Sequence, residues 1–105
     1  MNHQQNKIKE FCKKYNLEMN PEERILDINS ELGEISKEIL KSTNYGRDTK
    51  NKIDKEAILL EIGDLLYASI ALANSLDIDV EEALDKTLKK YENRLKKGSP
   101  GSEND

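Results

Sequence analysis

This chain has a single cysteine, Cys12, which is too few for an internal disulfide. No second cysteine and no nearby histidine accompanies it, so the usual zinc ligand sets are excluded. We therefore expect Cys12 to pack in the core of a cytoplasmic protein, since reducing compartments favour such chains. The first nine residues lack the apolar stretch of a secretory signal, and no apolar run is long enough to span a bilayer, so we expect no membrane partner.

The chain also lacks an excess of basic residues, because 17 Lys and Arg stand against 21 Asp and Glu, a net charge of -4. Without that excess to neutralise a phosphate backbone, we expect no nucleic-acid polymer as a partner. A P-loop, CxxC and HExxH motifs, and a Ser or Cys nucleophile with a histidine base are all missing. At 105 residues the chain forms one small domain, for which a partner subunit would help to bury apolar surface.

Apolar residues recur at helical spacing along most of the chain, and no segment shows the pattern of a β-strand. The first predicted helix covers about Gln5 to Tyr15, and the second runs from Pro21, after the N-cap Asn20, to about Lys41. A third covers about Asp54 to Ser75, and a fourth begins at Asp79, with a capping box formed with Glu82, and ends near Lys97. We predict an all-α fold, a small four-helix bundle-type domain over residues 1–97 that oligomerisation completes. The turn-rich segment Ser42 to Lys52 is expected to be a mobile loop, and residues 98–105 a disordered tail.

Two short acidic signatures stand out within these helices, Glu31-Leu32-Gly33-Glu34 and Glu61-Ile62-Gly63-Asp64. Carboxylates three residues apart share a helix face, so two such pairs on packed helices would surround one space with four oxygen ligands. That ligand set suits Mg²⁺, with Mn²⁺ as a substitute. On its own, the acidic stripe of the second helix would more often be a solvated face.

The third helix strengthens the metal interpretation, because it is apolar in nearly every direction and this is typical of a buried helix. Glu61 and Asp64 lie within it, and no basic residue occurs from Ala57 through Asp85. Two buried like charges need a metal ion, protonation or a cation from another element. Gly33 and Gly63, which cost helix propensity, predict close helix packing.

The fourth helix offers Lys86, Lys90 and Arg94 at four-residue spacing, with Tyr91 alongside. Such a ladder could hold phosphate oxygens and stack on a base, although an ordinary solvated helix with its own core face is an equal alternative. Asn74, near the end of the apolar third helix, is a candidate substrate hydrogen-bond donor or a helix-end residue.

The succession of Glu31-x-x-Glu34, a gap of 26 residues, Glu61-x-x-Asp64 and a basic helix resembles the MazG-like nucleotide pyrophosphohydrolases of the all-α NTP pyrophosphatase superfamily. The resemblance runs from about Phe11 to Arg94 and includes the segment from Asn74 to Asp79, which looks like the family's connection into its last helix. Ser30 stands where the family commonly has a further glutamate.

This resemblance implies Mg²⁺-dependent hydrolysis of a nucleoside triphosphate between the α and β phosphates, giving the monophosphate and pyrophosphate, in nucleotide-pool house-cleaning or in control of normal pools. It implies metal ligation by Glu31, Glu34, Glu61 and Asp64, and a general base at Glu34 or Glu38. Lys86, Lys90 and Arg94 would hold the outer phosphates. The composition and position of the loop with Arg47 and Lys50 separately suggest that it closes over the nucleotide. It further implies a homodimer or homotetramer. The alternative is a non-catalytic helical module that binds nucleotide or a protein partner.

Overall fold

A computed structural model describes residues 1–47 and 53–98 of the chain. These residues form four α-helices and no strand, namely α1 (His3–Lys14), α2 (Pro21–Ser42), α3 (Lys55–Ser75) and α4 (Val80–Lys96). The predicted all-α class is therefore confirmed. The predicted tail falls outside the described residues except for Gly98, and so does Lys50 of the predicted loop.

Side chains just before the helices fix where three of them begin. Asn20 Oδ1 accepts a hydrogen bond from the Glu23 backbone N–H at 2.8 Å, and the Glu23 carboxylate accepts one from the Asn20 N–H at 3.5 Å. This capping box satisfies donors that α2 cannot satisfy internally. Asp54 caps α3, while Asp79 caps α4 through the Glu81 N–H at 3.0 Å. The predicted capping box between Asp79 and Glu82 is thus wrong, because the short Asp79 side chain bonds two residues ahead.

Three helix ends share one backbone motif. Asn16, Asn44 and Asp77 have φ angles of 55°, 49° and 54°, so each lies in the left-handed region just after its helix. In each case the next residue donates its N–H back to the carbonyl five residues earlier, as in Ile78 to Ala73 at 2.9 Å. This is the Schellman motif, and asparagine and aspartate tolerate its left-handed position better than most residues.

Helices α2 and α3 pack against each other most extensively, and α1 packs on α3. They are antiparallel, because Arg24 near the start of α2 lies over the ring of Tyr67 in the second half of α3. The buried apolar core of the described residues is small and consists of Cys12, Ala68, Ile70 and Ala71. The prediction that Cys12 is buried in the core is confirmed.

The expectation that α3 is buried all round is wrong for a single chain. Leu59, Leu60 and Ile62 are 64, 68 and 53% exposed, because α1 and α2 cover only part of the helix. The predicted core face of α4 is exposed as well, with Leu88 at 56% and Leu95 at 61%. The radius of gyration is 17.0 Å, whereas a compact domain of this length has about 13 Å.

The two glycines of the acidic signatures also face open space within one chain. A Cβ added to Gly33 or Gly63 would meet no atom within 4 Å. Our expectation of close helix packing at these positions is therefore wrong for the contact between α2 and α3. Among the described residues, no neighbour packs against either glycine to offset its loss of helix propensity.

Gln5 joins three parts of the fold. It is completely buried, and its side-chain N–H₂ donates to Asn74 Oδ1 at 3.0 Å and to the Ile78 carbonyl at 2.8 Å. Its side-chain oxygen accepts from the Val80 N–H, the first residue of α4, at 2.9 Å. One side chain of α1 therefore fixes the connection between α3 and α4.

Candidate metal centre

Three carboxylates from the two acidic signatures meet between α2 and α3. Glu31, Glu61 and Asp64 each place an oxygen within 4.8 Å of the others. Glu61 and Asp64 share one face of α3, and the antiparallel packing brings Glu31 of α2 opposite them. The sequence argument for a shared acidic space thus agrees with the position of these three side chains.

The cluster is strongly negative, and no positively charged side chain in the described part of the chain pairs with it. None of the three carboxylates has a hydrogen bond or an ion pair there. Partial burial and the charges of Asp64, Glu61, Glu34 and Asp27 raise the pKa of Glu31 above its ordinary value of 4.5. Each of these causes disfavours the charged form, and a bound cation would favour it.

The cluster is less buried than we expected. Glu31 and Glu61 are half-buried, and Asp64 is exposed. The argument that two fully buried carboxylates demand a counter-charge is therefore too strong for the single chain. What remains is three oxygen ligands that surround one space with no protein cation among the described residues.

The fourth predicted ligand, Glu34, is not one of the three clustered side chains. It is exposed, yet its charge contributes to the raised pKa of Glu31, which places it near the cluster. Glu38 is half-buried one turn further along α2. It lies two turns after Glu31, so Glu34, one turn after Glu31, is the nearer of the two candidate bases.

The predicted phosphate-binding ladder of α4 does not form a uniform exposed row. Lys86 is exposed and pairs with Glu82 at 2.9 Å, and Lys90 lies 5.3 Å from the Tyr91 ring centre. Arg94 is buried and also faces the Tyr91 ring, which is 42% exposed. Helix α4 makes few contacts with α2 and α3, and of the three basic residues only Lys86 and Lys90 are exposed.

Asn74 has a structural role at the junction between helices. Its Oδ1 accepts from Gln5, and its Nδ2 donates to the Gln5 carbonyl at 3.1 Å. The helix-end alternative thus describes its contacts better than substrate binding. Sequence reasoning missed Gln5, although its spacing from Ile8 and Cys12 puts it on the inward stripe of α1.

A second group that sequence reasoning missed surrounds Arg24. This arginine is 3% exposed, donates to the Leu17 carbonyl at 2.6 Å, and pairs with Asp27 at 3.7 Å. Its guanidinium also lies 5.6 Å from the centre of the Tyr67 ring. Burial and the nearby Cys12 thiol, which lies 3.2 Å from the Tyr67 hydroxyl, raise the pKa of Tyr67, and Arg24 opposes this shift.

Comparison with known proteins identifies one family. A family model described as MazG nucleotide pyrophosphohydrolase domain matches residues 19–99. A Bacillus subtilis (strain 168) protein named Uncharacterized protein YpjD is 40% identical over 70 residues, which is 66% of this chain and 61% of the relative. The chain thus spans about three fifths of that relative's length. No solved structure matches the chain. Within the described residues, no helix is long and apolar enough to cross a membrane.

Proposed function

Because this chain belongs to the MazG nucleotide pyrophosphohydrolase domain family, we propose that it hydrolyses a nucleoside triphosphate between the α and β phosphates. The products are a nucleoside monophosphate and pyrophosphate. The main support for this proposal is that carboxylate oxygens of Glu31, Glu61 and Asp64, on two antiparallel helices, lie within 4.8 Å of one another. Control of nucleotide pools, including removal of unwanted nucleotides, is the role that such a reaction would serve.

The donor set fits Mg²⁺. Three carboxylate oxygens at a partly exposed site leave room for water and phosphate oxygens, which Mg²⁺ retains or prefers. Mn²⁺ accepts the same ligands and would substitute. When bound, the metal supplies charge neutralisation at the phosphates and polarisation of the attacking water. Glu31, Glu61 and Asp64 would hold it, and Glu34, one helical turn after Glu31 on α2, is the remaining candidate ligand.

The remaining chemistry is a proton transfer. As a water oxygen bonds to the α or the β phosphorus, the P–O bond that bridges the two atoms breaks, and the monophosphate and pyrophosphate separate, one of them carrying the water oxygen. The water proton passes to a carboxylate, and we assign this role to Glu34 ahead of Glu38. Glu34 lies one helical turn after Glu31 on α2, whereas Glu38 lies two turns after it. A general base has to lie within hydrogen-bond reach of the water, directly or through one further water.

Lys86 and Lys90 are the cations that we assign to the outer phosphates. The ion pair between Lys86 and Glu82 is exposed on both sides, so a phosphate would readily replace Glu82. Tyr91 offers an aromatic surface beside them. Arg94 is buried, so we assign it to positioning Tyr91 by its contact with the ring.

A second copy of the chain would complete the fold. Large apolar side chains are exposed on α2, α3 and α4, with Leu26, Leu60 and Leu95 all above 60%. Where such side chains form a contiguous patch, they mark interaction sites. The acidic cluster lies between two of these helices, so a homodimer or homotetramer that covers them would also shield the cluster from water and strengthen its attraction for a cation.

The test is pyrophosphate release from a panel of NTPs and dNTPs, with Mg²⁺ and with EDTA. We expect release that requires metal and that falls at least about tenfold in Glu61→Gln, since loss of even an outer-shell partner typically costs 10- to 100-fold. Glu56→Gln is the matched control, because Glu56 is an exposed acid of the same helix outside the cluster. Release that persists in EDTA would contradict the metal assignment.

The alternative of a non-catalytic helical module makes a different prediction. Such a module would bind nucleotide or a protein partner, and Mg²⁺ with nucleotide would still raise its unfolding midpoint by mass action. It would release no pyrophosphate from any nucleotide. Binding without release therefore selects the module, and release selects the enzyme.

A further inference from the structure

Helix α4 has an apolar face that the described part of the chain leaves exposed. Four side chains at helical spacing form this face, namely Leu84, Leu88, Tyr91 and Leu95. Gln5 fixes the first residue of α4 beside the end of α3, and α4 packs closely against neither α2 nor α3. Because a helix in a protein is stabilised mainly by packing of its apolar face, this face calls for a surface outside the chain.

Helix α2 has an exposed apolar stripe of its own, and this stripe borders the acidic cluster. Ile25, Leu32 and Ile39 are all exposed and repeat every seven residues, which places them on one face. Leu32 directly follows Glu31, so the stripe lies about 100° around α2 from that carboxylate. A helix packed on this stripe would therefore have one flank beside the cluster.

The two surfaces carry opposite charge. Between Asp27 and Glu38, α2 has four acids and one base, whereas between Lys86 and Lys96, α4 has five bases and one acid. Packing of α4 on α2 would therefore bring unlike charges together beside the apolar contact. Pairing of two copies of α4, or of two copies of α2, would instead place like charges side by side, which is unfavourable. The charges thus favour α2 of a second copy of the chain as the surface that covers α4.

The two exposed lysines of α4 do not pair with the acidic cluster of their own chain. Lys86 pairs with Glu82 at 2.9 Å, and Lys90 lies 5.3 Å from the centre of the Tyr91 ring, so both contact neighbours on α4 itself. The start of α4 is held by buried hydrogen bonds of Gln5 to the junction with α3. Bringing these lysines to the cluster within one chain would require α4 to swing about this junction, whereas a second chain could supply them without any change of fold.

We propose that the phosphate site is shared between two chains: α4 packs its apolar face on the Ile25, Leu32 and Ile39 stripe of a second copy and brings Lys86 and Lys90 to the acidic cluster of that copy. The inference rests on the proposed function, since it takes the phosphates to lie between these lysines and the acids. The exchange is reciprocal in a two-fold dimer, so each dimer has two sites, each with acids from one chain and lysines from the other.

The test uses mixed oligomers of two impaired chains. Glu61→Gln removes an acid, and a second chain with both Lys86→Gln and Lys90→Gln lacks the phosphate cations. Each chain alone should release pyrophosphate about tenfold or more slowly than the wild type. Co-expression with two different affinity tags isolates oligomers that contain both chains. In a mixed dimer, one of the two shared sites has intact acids and intact lysines, so release should return to about half the wild-type rate.

A mixture of Glu61→Gln with Glu31→Gln is the matched control. Both changes fall on the acidic side of the site, so no site in this mixture is intact, and release should stay at the level of the single variants. If the wild type is active but the mixture of acid and lysine variants shows no recovery, the shared site is overturned. Failure of the two tags to co-purify would overturn it as well.

A measurement without substrate separates this inference from the enzymatic function. In the mixed oligomer of acid and lysine variants, only the Glu61→Gln chain is isotope-labelled, and Mn²⁺ is added to occupy the intact cluster of the unlabelled chain. We expect Mn²⁺ to broaden the amide signals of Lys86 and Lys90 in the labelled chain, across the contact between the two chains. Unbroadened signals along α4 would overturn the shared site. Broadening there in a protein that releases no pyrophosphate would refute the enzymatic function alone.

Discussion

Replacing Gln5 by methionine tests how the chain connects its helices. The change keeps the length of the side chain but removes its three hydrogen bonds to Asn74, Ile78 and Val80, of 3.0, 2.8 and 2.9 Å. Each such bond contributes about 1 kcal/mol net, so the loss is about 3 kcal/mol. For a domain of this size, 1 kcal/mol shifts the unfolding midpoint by about 4–8 °C, which gives a decrease of about 12–24 °C.

Thermal unfolding followed by circular dichroism, at one fixed protein concentration, measures this decrease. Gln4→Met is the matched control, because Gln4 is the exposed neighbour on the same helix. The control should shift the midpoint by no more than a few degrees. If Gln5→Met shifts it no further than Gln4→Met does, the buried glutamine does not hold the junction and the reasoning is refuted.

Three further predictions concern charge, backbone and assembly. Because the folded-state pKa of Glu31 is raised, its protonation stabilises the metal-free protein fully below pH 4.5, and this contribution is lost as the pH rises through the raised value. The difference between the unfolding midpoints of the wild type and Glu31→Gln, measured against pH, should show this decline. A difference that does not change with pH would contradict the prediction. Asp77 has a φ of 54°, a left-handed conformation that alanine adopts less readily than glycine. In urea titrations, Asp77→Ala should therefore lower the free energy of unfolding by about 1 kcal/mol, while Asp77→Gly should not. Equal effects of the two substitutions would exclude backbone strain as the cause. Leu88→Glu, in the exposed apolar face of α4, should shift the sedimentation coefficient toward that of a monomer, while Lys89→Glu should not. If both variants keep the oligomeric state of the wild type, the interface does not include this face of α4.

The helices could be predicted from the sequence because their signals are local. Asn20, Pro21 and Glu23 determine the start of α2 through contacts among four consecutive residues. The meeting of the two acidic signatures on packed helices could be predicted as well, since each signature lies within an apolar helical pattern. The pattern did not distinguish Glu34 from the three clustered acids, because relative rotation of two helices depends on all their packed side chains.

Burial was the poorest prediction, and α3 shows the reason. An apolar side chain such as Leu60 indicates that some surface covers it, but not whether that surface belongs to the same chain. Gly63 poses the same difficulty, because it faces open space within one chain. The buried contacts of Gln5 and Arg24 were missed for the opposite reason, since polar residues were assigned to the surface. Their partners lie up to 75 residues away and could not be read from local spacing.

The most direct test of the metal centre is paramagnetic broadening of backbone amide signals by Mn²⁺, added in small amounts to the labelled full chain. The proposed site predicts broadening that is strongest around Glu31, Glu61 and Asp64, that Mg²⁺ reverses, and that Glu61→Gln weakens. Broadening centred on another group of acids, or none at millimolar Mn²⁺, would contradict the assignment of this cluster as the metal site.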